Sequence, residues 1–329
     1  MTPRRAPQRP ARLVCCGLAT LDVVQVVDAL PRPDEKVVAR DAAVTFGGPA
    51  ANAAASAVAL GVPTRLVTAI GASPRGALVR RALEVAGVEV LDLLDADRDA
   101  DPPLSTVLVT RSTGERAVVS MNGTATPDAA DLARARLDDA LAGATALLVD
   151  GHHLGAAVVL AAESRERELP VLLDGGSWKP GLDALLAQVE QAVLSADFRL
   201  PAGLQGSASS GEVGDVDALL DAVAAFGPAA VARSAGAGPV RVRSVAELRP
   251  GGDPYAFAVE VDRYAVVPPQ VPASEVVDTL GAGDVLHGAL AAALARGETF
   301  DTALTEAIGV ASMSVRYAGA LGWVPHAPR

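Results

Sequence analysis

The stretch Asp278-Thr279-Leu280-Gly281-Ala282-Gly283-Asp284 sets a carboxylate directly behind three small residues, and an apolar run follows from Val285. Glycines let the backbone turn tightly and aim successive N–H groups into one concavity. A helix starting there adds its own free N–H groups and the positive end of its dipole. Gly281, Ala282 and Gly283 therefore read as an anion hole suited to a phosphoryl group in transfer. Asp284 falls in the first turn, where the dipole favours the ionised acid at neutral pH. Ionised beside a phosphate, it can take the proton of an attacking hydroxyl. On spacing alone a helix-capping role is an equal reading, because glycine loops commonly precede helices.

Rival phosphate and nucleophile motifs are absent from the sequence. Lys36 and Lys179 are the only lysines and neither follows a glycine, so there is no Walker A loop. The spacing of Gly281, Gly283 and Gly288 is not the dinucleotide fingerprint. No G-x-S-x-G elbow occurs.

The elements that must hold such a site follow from composition and periodicity. The chain has 329 residues, is half hydrophobic and has few aromatics, which suits helices packed on a parallel sheet. Its formal net charge of −11 argues against non-specific binding to nucleic acid or anionic membrane. Cys15 and Cys16 are adjacent in an apolar run. On a strand they point to opposite faces, so no disulfide framework is implied and a reducing, cytoplasmic setting fits. No apolar run is long enough to span a bilayer. The start is basic and Pro-rich without an apolar core, which predicts a disordered tail over residues 1–11 rather than a secretory signal.

Strands are expected over 12–17, 65–70, 144–149, 170–173, 192–195 and 229–232. Helices are expected over 50–60, 76–86, 284–296 and 301–317. This alternation predicts a three-layer α/β core. Lys36 to Thr45 reads as one or two short strands, and Leu104 to Thr110 with Arg116 to Met121 reads as a hairpin across Ser112-Thr113-Gly114-Glu115. These pieces fit the core rhythm poorly and suggest a separate small sheet. Gly206 to Gly214 is Ser/Gly-rich and reads as a loop.

Asp278 to Asp284 resembles the C-terminal signature of the ribokinase, or PfkB, family of carbohydrate kinases. Phe46-Gly47-Gly48-Pro49-Ala50-Ala51-Asn52 resembles the early Gly-Gly…Asn segment of that family, in the matching order and separation. The resemblance implies a ribokinase-like fold: a three-layer doubly wound sheet with a small β-sheet lid. It implies one kinase domain over residues 12–329, with lid segments at about 23–45 and 104–121, and a homodimer packed through the lids. It also implies ATP and Mg2+ as cofactors, leaves a K+ requirement open, and makes a sugar and ATP the small-molecule partners.

Residue by residue, the resemblance makes Asp284 the catalytic base and Gly281, Ala282 and Gly283 the anion hole. Asp22, Gly48 and Asn52 match sugar contacts, and an Asp that accepts two hydroxyl hydrogen bonds suits a polyol. Arg116 resembles a lid arginine near the transferred phosphate or the substrate, and His152 becomes a substrate contact at a strand end. Ser234 and Gly238, in the loop 233–239, match phosphate contacts, together with Thr279, Gly281 and Gly283. Asp174 ends another strand on the presumed ligand side, where it orients substrate or metal-bound water or only braces its loop.

Two departures stand out. The Asn-x-x-Glu motif found near the metal-bound phosphates of relatives is replaced by Ser195-Ala196-Asp197-Phe198, so the metal ligands stay unassigned. Ketohexokinase-like relatives also vary there. Gly-Gly-Pro-Ala-Ala, Leu-Asp-Gly and Gly-Asp-Val-Leu-His-Gly-Ala-Leu are similar to the sulfofructose kinase branch. The expected activity is transfer of the γ-phosphoryl of ATP to a hydroxyl, primary for preference, of a sugar or sugar derivative. A nucleoside kinase, or a sugar- or nucleotide-binding regulator of weak activity, remains the alternative.

Overall fold

The structure is a computed structural model that describes residues 10–97, 99–113, 115–121, 123, 129–204, 216–245 and 261–327. Most of the expected N-terminal tail and the whole Gly206 to Gly214 stretch lie outside the described residues, as does Gly114 in the hairpin turn.

The chain opens with β1 (Leu13–Cys16), β2 (Thr20–Val27), β3 (Asp41–Gly47), α1 (Pro49–Ala59), β4 (Thr64–Thr68), α2 (Pro74–Val85) and β5 (Glu89–Asp92). There follow β6 (Leu104–Thr110), β7 (Arg116–Ser120), α3 (Ala130–Ala135), α4 (Leu137–Ala140), β8 (Ala146–Val149), α5 (Leu154–Glu166) and β9 (Val171–Gly175). The last part holds α6 (Leu182–Leu186), β10 (Gln191–Leu194), α7 (Val216–Ala224), β11 (Ala230–Ala235), β12 (Gly238–Val245), β13 (Val261–Val266), α8 (Ala282–Ala295) and α9 (Phe300–Ser314).

Among the described residues, nine strands form one sheet in the order β13-β12-β11-β10-β9-β8-β1-β4-β5. From β11 to β5 every pairing is parallel, and β12 and β13 add antiparallel at one edge. The parallel strands are apolar on both faces, as burial between two helix layers requires. Leu13, Cys15, Leu66 and Leu148 face one core, shared with α1, α8 and α9. Val14, Cys16, Leu147 and Leu173 face the other, shared with α5, α6 and α7. Cys15 and Cys16 are thus buried, unpaired and directed to opposite layers, as their adjacency predicts. No helix among the described residues is long and apolar enough to cross a membrane.

A second, four-stranded sheet has the order β3-β2-β6-β7. It carries exposed Val44, Val118, Val119 and Met121, so much of its apolar surface is uncovered in one copy of the chain. Its strands start at Thr20 and end at Gly47, wider than the sequence limits of 23 and 45. Conversely, the strand expected from Lys36 begins only at Asp41. The ladder explains this: β3 pairs with β2 alone, and the register ends at Val26 opposite Asp41. The sequence reading passed over β5, β12 and β13. In β12, Arg241 and Arg243 alternate with buried Val240 and Val242, a half-exposed edge pattern that a search for apolar runs overlooks.

Candidate active site

Along the large sheet, strand order reverses between β1 and β8, because the chain builds outward through β4 and β5 and then resumes beyond β1 at β8. Ligands of open α/β sheets bind at such a switch, beyond the carboxyl ends of the strands. Asp150, one residue past β8, occupies it. Its buried carboxylate accepts the N–H groups of Leu18 (2.9 Å), Ala50 (3.1 Å) and His152 (2.9 Å). Burial alone would raise this acid, but the His152 ring and these N–H groups outweigh it and hold the carboxyl well below the usual range. One ion therefore ties together the exit to the small sheet, the start of α1 and the β8 loop.

The small sheet delivers Asp22 to the same place. Thr20 Oγ1 donates to Asp22 Oδ1 at 2.5 Å. Burial pushes the Asp22 carboxyl up, against hydrogen bonds from Thr20 and Ser105. A Cβ on Gly47 would sit 2.0 Å from Asp22 Oδ2. The next residue, Gly48, has φ +98, and a Cβ there would lie 2.4 Å from the Leu18 carbonyl oxygen. The double glycine thus lets the backbone close on Asp22 and turn into α1.

α1 carries Asn52, and its alanines let α8 come close. A Cβ on Gly288 would lie 2.4 Å from the Ala53 carbonyl oxygen. That approach brings Asn52 Nδ2 to 2.7 Å from Asp284 Oδ2. Asp284 therefore does not cap its own helix; the N-cap is Gly281, with φ 73 and no side-chain cap bond. The loop before α8 is pinned from behind. Asp278 accepts the N–H of Leu280 and of Gly319, each at 2.8 Å. A Cβ on Gly281 would meet the Ala320 Cβ at 2.3 Å. In front there is room: a Cβ on Gly283 would meet nothing within 4 Å. Among the described residues the N–H groups of Gly281, Gly283 and Asp284 have no acceptor, while that of Ala282 turns back to Thr279 at 3.4 Å. The cradle thus has three free amides, with Asp284 supplying the one expected of Ala282.

Asp284 departs from the dipole argument. Burial pushes its carboxyl up to about 7, and Asp174 adds to the rise; the Asn52 hydrogen bond and His287 oppose it, and Asp150 reinforces it. Desolvation and like charge outweigh the helix end. The residue still keeps some accessible surface. A base poised near 7 is matched to neutral operation.

His287, one turn beyond Asp284, is buried. Its Nδ1 lies 2.7 Å from the Gly283 carbonyl and 3.3 Å from Asp174 Oδ2, and its Nε2 lies 3.1 Å from the Val193 carbonyl. Both ring nitrogens thus face oxygen atoms, which fixes the ring between α8, β9 and β10. Burial raises the Asp174 carboxyl and His287 opposes that. Lys179, half-buried nearby, is lowered by burial against the pull of Asp150 and Asp174.

The remaining sequence candidates fall around this centre. Arg116, exposed on β7, reaches across from the small sheet and donates to Thr279 Oγ1 at 3.1 Å. The His152 ring sits 3.3 Å from Asp150. Ser234 Oγ donates to the Leu194 carbonyl at 3.3 Å. Gly238 pairs with Ala235, so the loop likened to a phosphate binder is a tight β-hairpin between β11 and β12. The structure therefore joins Asn52 to Asp284 and Arg116 to Thr279 directly, and sets Asp22 against Gly47. It keeps Ser234 two strands and Gly238 three strands away from β9. Sequence reasoning missed Asp150 and His287. Asp150 had the same signal as Asp174, an acid ending an apolar strand; His287 had only its place one turn past Asp284.

Among the described residues no three His, Cys, Asp or Glu side chains converge as a metal site. The described residues thus offer no all-protein magnesium cage.

Residues 10–327 match the sequence profile described as pfkB family carbohydrate kinase. The chain is 25% identical to a ribokinase of Arabidopsis thaliana over 316 residues, covering 95% of this chain and 78% of that one. Among solved structures, a provisionally named ribokinase of Agrobacterium tumefaciens superposes with a TM-score of 0.74 at 23% identity, covering 95% of this chain and 94% of that one. The Arabidopsis thaliana ribokinase complexed with ribose and ATP gives 0.66 at 21% identity, covering 97% and 96%. The shared fold is the large sheet with its small separate sheet.

Proposed function

The chain belongs to the pfkB family of carbohydrate kinases, and from that premise we propose that it moves the γ-phosphoryl group of ATP onto a primary hydroxyl of a sugar, with Asp284 as the base. It is a phosphotransferase with an alcohol group as acceptor. The observation that carries the reading is Asp284 itself: a largely buried carboxyl with some accessible surface, pushed up to about 7, beside three N–H groups without acceptors among the described residues.

The sugar lies between Asp22, the Gly48 backbone and Asn52, with His152 at the β8 side. Its hydroxyl loses a proton to Asp284 as the oxygen bonds to the γ-phosphorus. The bond from that phosphorus to the bridging oxygen breaks, and ADP leaves with the electron pair. Charge on the phosphoryl oxygens is met by the N–H groups of Gly281, Gly283 and Asp284. Arg116 and Thr279 close the site from the lid, and Ser234 and Gly238 lie along the nucleotide. ATP enters the proposal through the Arabidopsis relative, whose solved complex holds it. Mg2+ would be held by phosphates and water, since it keeps several waters and few carboxylates in such sites.

The four strands of the small sheet carry one aromatic, Phe46, and it is buried in the core. They offer no stacking wall for a nucleobase, which favours a sugar over a nucleoside acceptor. Exposed Val44, Val118, Val119 and Met121 favour a homodimer through that sheet. A cytoplasmic enzyme with one kinase domain over residues 12–329 fits both.

ATP consumption over a panel of sugars, sugar acids and nucleosides tests the reading. Turnover with a sugar is expected. Turnover with nucleosides alone would replace the sugar assignment, and binding without turnover would make the protein a regulator.

A further inference from the structure

The nucleotide side of the fold holds two arginines that no ion pair among the described residues balances. Arg199 follows the buried Phe198 just beyond β10, and Arg233 stands on β11. Arg199 Nη1 donates to the carbonyls of Ala196 and Phe198, each at 2.8 Å. Arg233 Nη2 donates to the same Ala196 carbonyl. Two guanidinium groups thus converge on one carbonyl oxygen. Arg233 Nε is buried and has no hydrogen-bond partner among the described residues. Burial and the adjacent Arg199 both disfavour the Arg233 charge, and the exposed Asp197 only opposes them.

A buried cationic N–H without an acceptor is costly, and so are like charges brought together. An anion with several oxygens would relieve both, because guanidinium groups bind phosphate through paired, charge-assisted hydrogen bonds. The place is on the ligand side of the sheet, at the carboxyl ends of β10 and β11. The same end of β10 reaches the cradle: Val193 contacts His287 of α8, and Leu194 contacts Ser234. From Val193 to Ala196 is at most about 11 Å of chain.

We propose that Arg199 and Arg233 form a cationic subsite for the phosphate chain of a nucleoside di- or triphosphate, placing charge where the Ser195-Ala196-Asp197-Phe198 segment supplies only one carboxylate. The proposal rests on the kinase reading above. It makes the nucleotide side of this chain arginine-rich at the strand ends, and it assigns the orphan Arg233 Nε–H to a phosphate oxygen.

The test is calorimetric titration of the full-length protein, Arg199→Met, Arg233→Met and Arg233→Lys with ADP, pyrophosphate and adenosine. Each Met variant should weaken ADP and pyrophosphate by roughly 10- to 100-fold, the usual worth of a hydrogen bond to a charged group. Adenosine should bind as before, Arg233→Lys should recover part of the loss, and the salt dependence of ADP binding should flatten. Arg199 is exposed, so its variant carries the test even if Arg233→Met fails to fold. If both Met variants bind ADP like the parent, or lose adenosine equally, the arginine assignment is wrong while the kinase reading stands. If the parent protein binds no ADP, the kinase reading falls and the proposal with it.

Discussion

The two halves of the cleft are finished to different degrees. On the acceptor side, Asp150, Asp22, Asn52, Asp278 and His287 each have protein partners, and these partners run from the small sheet through α1 to α8. On the side proposed for the nucleotide, two guanidinium groups share one carbonyl, and the N–H groups of Gly281, Gly283 and Asp284 have no acceptor among the described residues. The difference assigns work to each half. In the proposed reading the acceptor side is built in advance, so that proton transfer would need little rearrangement. The nucleotide side, in the same proposed reading, is left incomplete, so that its polar groups would be satisfied when a polyanion arrives.

If the acceptor side is pre-built, damage there should reduce turnover and leave nucleotide affinity alone. The largest effect is expected for Asp284→Asn, which should cut kcat by roughly 10²- to 10⁴-fold, the range of a positioned general base, with ADP affinity unchanged by calorimetry. Gly288→Val comes next. Its side chain would force α1 and α8 apart at Ala53 and move Asn52 off Asp284. A displacement of about 1 Å can cost roughly 10²-fold in rate, measurable as kcat at saturating sugar. Asn52→Leu should cost about 10-fold at pH 7, because loss of its hydrogen bond leaves the Asp284 carboxylate worse stabilised and moves its ionisation to higher pH. Arg116→Ala removes one exposed contact to Thr279 and should change kcat/KM by about 3- to 10-fold.

A separate effect concerns stability rather than rate. The Asp284 carboxyl titrates near 7 in the native chain, against an ordinary value of 3.8. Below that ordinary value both states hold the proton. As pH rises towards 7 the unfolded chain ionises first, so the native state loses stability across that window. Asp284→Asn escapes the loss. Its melting temperature relative to the parent should therefore climb between pH 4 and pH 7 and level off above. A constant difference would mean that Asp284 is not held against ionisation.

Legibility in the sequence followed a similar division. Asp278 to Asp284 was readable because glycine, glycine and acid leave little choice of backbone or chemistry. The opposite facing of Cys15 and Cys16 was readable from strand geometry. The contact between Asn52 and Asp284 was not, because residues 232 apart meet only through the packing of α1 on α8 at Gly288. The charge state of Asp284 was misread for a related reason. The dipole belongs to the local helix, whereas Asp174 and Asp150 arrive from β9 and β8. Arg199 and Arg233 gave no signal, since most arginines are solvated and these two converge only when β10 and β11 pair. The edge strands β12 and β13 escaped because Arg241 and Arg243 in β12 and Asp262 and Arg263 in β13 interrupt their apolar residues.

The claim on which the rest depends is that ionisation of Asp284 gates phosphoryl transfer. The pH dependence of single-turnover transfer, with ATP and sugar both saturating, measures it most directly. The rate should rise tenfold per pH unit below an inflection near 7 and flatten above it. A rate that stays level from pH 5 to pH 8 would show that another group, or none, accepts the proton.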